Sequence, residues 1–262
     1  MDLGIKGKRA LVGASSQGLG RAIAAALAAE GVDVLLTGRN EEALATTQSA
    51  INSRAGGRAH VQAGDLTNPD LPQILHAAAE RHMGGVDILV NNTGGPPPGQ
   101  MVDANLDTAA QQFDQMILPV ARITETLLPQ MRTQKWGRIL TVASSGVIQP
   151  IPNLGLSNML RSALVGWSKS LANDLGPDGI TVNMLIPGRI HTNRVDIIDT
   201  GAAKRSGKTL EEIRQASKAT IPVGRYGKPE EFGAAAAFLA SQQAAYVTGM
   251  LMRIDGGLIK SV

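Results

Sequence analysis

The sequence predicts an α/β fold: a single domain, residues 1–262, built on one doubly wound parallel sheet of about seven strands with helices on both faces. Three observations carry this. Short apolar runs alternate with helical stretches along the whole chain, as crossover-connected parallel strands require. Runs such as "DILV" and "RILTV" have no polar face, which fits strands buried on both sides. Thirty glycines suit many tight turns between alternating elements. A length of 262 residues sits near the upper size of one hydrophobic core.

In chain order, strands are expected at Arg9–Gly13, Asp33–Thr37, Arg58–Gln62, Asp87–Asn91, Arg138–Ala143, Thr181–Ile186 and Leu251–Ile254. Helices are expected near 18–30, 41–55, 70–83, 104–132, 154–175 and 229–241. Asn40 reads as the cap of the second helix, with Glu41 and Glu42 in its first turn. Two loops stand apart. "TGGPPPG" (Thr93–Gly99) follows the fourth strand and is stiffened by three prolines. Segment 193–222 follows the sixth strand and reads as a substrate lid. Within it, Thr209-Leu210-Glu211-Glu212 carries a capping-box pattern for a short helix.

Composition narrows the function classes. A net charge of +3, with no basic run longer than two residues, gives nucleic-acid binding little support. Without cysteine there is no disulfide framework and no thiolate chemistry. The opening "MDLGIKGKRALVGASS" lacks a signal-peptide h-region, and no uncharged apolar stretch reaches membrane-spanning length. A soluble cytoplasmic protein with a small-molecule substrate, and with neither nucleic-acid nor membrane partner, is expected.

The first strand runs into Gly13-Ala14-Ser15-Ser16-Gln17-Gly18-Leu19-Gly20 and then a helix. Such a turn aims backbone N–H groups at an anion, and the helix N-terminus favours negative charge. The context is that of a Rossmann-like dinucleotide turn; a tight strand–helix turn without a ligand is the alternative. With this turn, Asp65-Leu66, "DILVNNTGG", "NMLIPGRIHT" and the C-terminal "VGRYGKPEEFGAAAAFLASQQAAYVTGMLMRIDGG" in order, the chain resembles the short-chain dehydrogenase/reductase family, in its 3-oxoacyl-carrier-protein-reductase-like branch. The resemblance covers nearly the whole chain. Ala14 stands where the family has its first turn glycine, and Gly13 where it has threonine.

The resemblance implies a dinucleotide across the C-terminal edge of the sheet, at its topological switch point. It would contact Gly13, Ser15, Ser16, Gln17, Gly18, Leu19 and Gly20 in the turn, and Asp65 and Leu66 at the adenine. Asn92, Thr93 and Gly94 would follow, then Arg161, with Pro187, Gly188, Ile190 and Thr192 beside the nicotinamide. The second strand ends "LLTGRN", with Gly38 where members preferring NAD carry an acid and Arg39 next. An arginine there suits a 2′-phosphate, so NADP(H) is expected over NAD(H), with a solvated surface arginine as the alternative. Hydroxyls of Ser15 or Ser16 could add contacts.

The family's catalytic set is Asn, Ser, Tyr and Lys. Its serine corresponds to Ser144. Its tyrosine falls on Ser157, its lysine on Arg161 and its asparagine on Met116. Ser157 and Arg161 are i and i+4, so they share a helix face. A serine hydroxyl is a far weaker acid than a tuned phenol, and arginine stays protonated. Ser144, Ser157 and Arg161 are therefore the expected catalytic residues of an altered site. Ser157 is either a hydrogen-bond donor or idle; Arg161 either anchors cofactor or substrate anion or pairs at the surface. Met116 reads as helix core, Lys169 as solvent-facing, and His191 as a substitute acid or a loop residue without a role. Asp199, Lys204, Arg205 and Lys208 read as solvated charges. Three functions stay open: an NADP(H)-dependent oxidoreductase on a small carbonyl or alcohol, a non-catalytic NADP(H)-binding sensor or regulator, and a non-redox enzyme with a tightly held cofactor. A homotetramer is the family expectation, packed through helix 162–174 and the apolar C-terminus.

Overall fold

A computed structural model describes residues 1–261. Seven strands form one all-parallel sheet: β1 (Arg9–Val12), β2 (Asp33–Leu36), β3 (Ala59–Val61), β4 (Ile88–Asn91), β5 (Gly137–Val142), β6 (Ile180–Pro187) and β7 (Leu251–Ile254). Their order is β3-β2-β1-β4-β5-β6-β7. The winding therefore reverses at β1, whose neighbours are β2 and β4. That is the crevice where open α/β sheets hold ligands, outside the C-terminal strand ends. All seven expected strands are present, each within one or two residues of its predicted bounds. Every residue of β4 and β5 is buried, which is why these strands read as unbroken apolar runs.

Helices α1 (Gly18–Ala29), α2 (Glu41–Asn52) and α9 (Pro229–Leu239) belong with one face. Ile23, Leu27, Leu44 and Phe232 fill the core there against Val12 and Val34. Helices α3 (Leu71–Met83), α5 (Leu118–Gln134) and α6 (Gly155–Leu175) cover the other, around Leu75, Leu127, Ile139 and Leu175. Asn40 caps α2 by accepting from the Ala43 N–H. Among the described residues, no helix is long and apolar enough to cross a membrane.

Two expectations change. The single helix expected over 104–132 is two, α4 (Leu106–Met116) and α5, broken at Ile117. Pro119 lacks an N–H, so it sits in a first turn, where that donor would have no partner anyway. Segment 193–222 holds α7 (Asn193–Ser206) as well as the expected short helix, α8 (Leu210–Ala219). In α8 the capping box forms: Thr209 Oγ1 accepts from the Glu212 N–H at 3.2 Å, and Glu212 Oε2 accepts from the Thr209 N–H at 2.8 Å.

Candidate active site

The turn after β1 is built for close approach. Ala14 takes a left-handed backbone (φ 45°), which explains why glycine is the expected residue there. A Cβ on Gly20 would lie 2.3 Å from the Ala14 carbonyl oxygen, so only glycine lets α1 come this near the turn. The start of α1 has no capping side chain and no acid in its first turn. Its N–H groups are left facing the crevice, and these residues fit an anionic group such as a pyrophosphate. Ser15 corrects an expectation. It is fully buried, and its hydroxyl is bound to the Thr37 backbone, accepting from the N–H at 3.0 Å. It braces β1 against the end of β2 and has no hydroxyl to offer a ligand. Ser16 is half-buried, its hydroxyl 3.8 Å from a Cβ placed on Gly38.

Arg39 is exposed just past the end of β2. Asp65, in the loop after β3, is held below the usual carboxylate range, chiefly by hydrogen bonds from Thr67 and with a smaller contribution from the Arg39 charge. The two thus look onto the same outer end of the crevice. Leu66 packs partly into the core beside them. Asn92 ties β4 to β1 by donating to the Gly13 carbonyl at 3.2 Å. Thr93 and Gly94 continue from it as the loop that leaves the sheet.

At the far end of the crevice, α6 brings Ser157 and Arg161 to one buried face. The Arg161 guanidinium reaches the end of β5 and the loop after β4, donating to the Val142 carbonyl at 3.2 Å and the Gly94 carbonyl at 2.9 Å. It is no surface arginine: 8% of it is exposed, and burial together with the nearby charge of Arg194 pushes its pKa down to about 10. It still carries its proton at neutral pH. Ser144, two residues beyond Val142, accepts from the Gly146 N–H at 3.1 Å. Met116 is buried with Leu160 and Leu164, as helix core.

The segment after β6 supplies the opposite wall. Thr192 lies 3.7 Å from a Cβ placed on Gly18, across the crevice from the turn. Pro187 ends β6, and Gly188 donates to the Ile254 carbonyl. Ile190 is 4% exposed and joins the core, so only its backbone is free to line a nicotinamide site. His191 points outward, its side chain 64% exposed and 3.8 Å from Asp196. Asp199 overturns its reading as a solvated charge. It is fully buried, accepting from Arg189 at 2.6 Å and from the Tyr226 hydroxyl at 2.7 Å. This triad pins α7 to the two turns beneath it. Sequence reasoning missed it because the three residues are far apart in the chain. It also passed over Arg194, although that residue stands two positions after Thr192.

The proline loop folds back over the start of α6. Gly99 and Leu154 form a bridge, with Gly99 accepting from the Gly155 N–H at 3.0 Å. A cavity of about 330 Å³ lies there, lined by Pro97, Pro98, Asn105, Asn153 and Leu156 among others. It abuts Ser157 through Leu156 without including the Ser144–Ser157–Arg161 face.

Comparison with known proteins places this architecture. The family described as enoyl-(acyl carrier protein) reductase matches residues 13–259. The chain belongs to the short-chain dehydrogenase/reductase family. Among relatives of this short-chain dehydrogenase/reductase, the 3-oxoacyl-[acyl-carrier-protein] reductase of Aquifex aeolicus is 32% identical over 260 residues, 98% of this chain and 100% of that one. The dehydrogenase/reductase SDR family member 4 of Sus scrofa is 33% identical over 258 residues, 97% of this chain and 88% of its own length. The L-sorbose reductase of Gluconobacter frateurii, solved with NADPH and L-sorbose, superposes with a TM-score of 0.93 at 30% identity, covering 100% of both chains.

Proposed function

We propose that the protein is an NADP(H)-dependent oxidoreductase acting on a small carbonyl or alcohol compound in the cytoplasm, through an altered proton-donating arrangement. The observation that carries the cofactor choice is Arg39, exposed at the end of β2, preceded by Gly38 rather than an acid. An arginine fork suits a 2′-phosphate by paired charge-assisted bonds, and no carboxylate at that strand end favours a free ribose hydroxyl. The turn Gly13–Gly20 would hold the pyrophosphate, and Thr192 and the Ile190 backbone would flank the nicotinamide. When bound, the nicotinamide supplies or accepts the hydride. The relatives named as reductases, one solved with NADPH and a sugar, support this reading.

The chain's own part is orientation and charge. Ser144 and Ser157 donate hydrogen bonds to a substrate oxygen, and Arg161 adds a fixed positive charge beside them. Because Arg161 keeps its proton, it stabilises developing negative charge without transferring a proton. Positioning beside the nicotinamide supplies most of the rate. Titrating NADPH and NADH against wild type and Arg39→Ala by fluorescence tests the reading. NADPH is expected to bind at least about tenfold tighter than NADH in wild type, roughly 1.4 kcal/mol, and the variant to lose that preference. Equal affinities in wild type would sink the cofactor assignment. Tight NADPH binding with no turnover across ketones and alcohols would favour a sensor or regulatory protein.

A further inference from the structure

Arg161 is a buried cation without a counter-ion. Two of its donors serve the Val142 and Gly94 carbonyls, and no carboxylate among the described residues lies within ion-pair distance of it. A second guanidinium stands beside it. Arg194, in the first turn of α7, donates to the Pro96 carbonyl at 3.4 Å. A Cβ placed on Gly95 would lie 3.2 Å from Arg194 Nη2 and 3.7 Å from Arg161 Nη2. The two nitrogens therefore approach one common point, and Gly95 keeps that point clear of side chain. The acids that could neutralise Arg194 are committed elsewhere: Asp196 pairs with Arg214 at 2.7 Å, and Asp199 with Arg189 at 2.6 Å. Two like charges brought together over a glycine, one of them buried, are unfavourable unless an anion sits between them.

We propose that Arg161 and Arg194 clamp a carboxylate of the substrate over Gly95, so that the substrate is an organic acid carrying its reacting carbonyl or alcohol toward Ser144 and Ser157. This rests on the oxidoreductase reading above. The clamp lies at the ends of β4 and β5, where Arg161 is fastened, whereas the turn suited to the pyrophosphate lies at the end of β1. A planar carboxylate fits two guanidinium forks. The clamp also ties substrate binding to the lid, since Arg194 is the lid's residue.

Calorimetric titration of malonate and of its neutral analogue malonamide, into the cofactor-free chain and the NADPH-saturated chain, tests this. Arg194→Gln is the variant, because Arg194 is exposed and outside the core; Arg161→Lys keeps the charge and loses the fork. Malonate is expected to bind wild type at least tenfold tighter than malonamide, Arg194→Gln to weaken malonate at least tenfold while leaving NADPH affinity within twofold, and Arg161→Lys to weaken malonate less than Arg194→Gln does. The proposal is overturned if malonate and malonamide bind alike, if malonate does not bind at millimolar concentration, or if Arg194→Gln leaves malonate affinity unchanged. It is equally overturned if Arg194→Gln weakens NADPH as much as malonate, which would give the pair to the cofactor's phosphates. Should wild type bind no NADPH, the oxidoreductase reading fails on its own, while the cofactor-free titration still decides the clamp.

Discussion

Ala14 holds a left-handed backbone that an alanine side chain resists by about 1 kcal/mol. Ala14→Gly removes that strain but gives the unfolded chain more freedom, so the net gain is expected at about 0.5 kcal/mol, a rise of one or two degrees in Tm by calorimetry. A lowered Tm would show that the turn is not strained. The departure was readable in the sequence as alanine in a glycine position; its backbone angle was not, because that depends on the packing of α1. Ser157 and Arg161 were singled out through the family resemblance, which places the family's tyrosine and lysine at those two positions. What the sequence could not give was the burial of Arg161 and its two carbonyl partners, which come from the end of β5 and the loop after β4. Those bonds bear on restoring the family's groups. Ser157→Tyr with Arg161→Lys returns a phenol and an ammonium able to lower its pKa. Each single change should do little, since the pair acts as a unit. The double variant should raise NADPH-dependent reduction of a generic ketone by on the order of 10²-fold. Arg161→Lys alone should lower stability by about 1–3 kcal/mol, through its lost buried hydrogen bonds. A wild type that already reduces such ketones at about 10 per second would show that the proton has another source.

At the level of elements, the strands were the most legible part, above all β4 and β5, in which every residue is buried. Segment 193–222 was the least legible. Helix α7 carries Gly201 and many charges, so its helical period is faint, and its attachment runs through Asp199 rather than through an apolar stripe. A buried carboxylate with an arginine and a phenol looks, in sequence, like three unrelated surface residues. Asp199→Asn keeps the shape and removes the charge that Arg189 and Tyr226 share. It should destabilise the protein by about 2 kcal/mol, since a partner charge is left unpaired. The effect should be local as well as global: amide exchange in α7 and α8 should quicken while the β4–β5 core stays protected. Unchanged exchange in α7 would mean that this helix is held by something other than the triad.

At the level of the whole molecule, the question is which surfaces one copy leaves uncovered. The sheet ends in β7, an edge strand flanked by exposed Met250. A second apolar region runs through Met101, Val102, Leu106 and Phe113; Val102 is 86% and Leu106 75% exposed. Leu106 and Phe113 are seven residues apart in α4, two turns along the same helix face. Lone exposed apolar residues need no explanation, but four within thirteen residues of chain make a patch, and patches mark contact surfaces. Trp167 and Leu171 on α6, the helix expected from the sequence to carry an interface, are half-buried against the chain's own core. The packing of copies is therefore expected to use α4 and the β7 edge, two separate surfaces, each contacting its own equivalent. Two such two-fold contacts generate a D₂ tetramer. Light scattering at micromolar concentration should report four chains. Replacing Leu106 and Phe113 with Asp and Lys should reduce the assembly to dimers joined at β7, with NADPH affinity unchanged, since neither residue faces the crevice. A monomer in wild type would refute the expectation, and a tetramer that survives both substitutions would move the second contact away from α4.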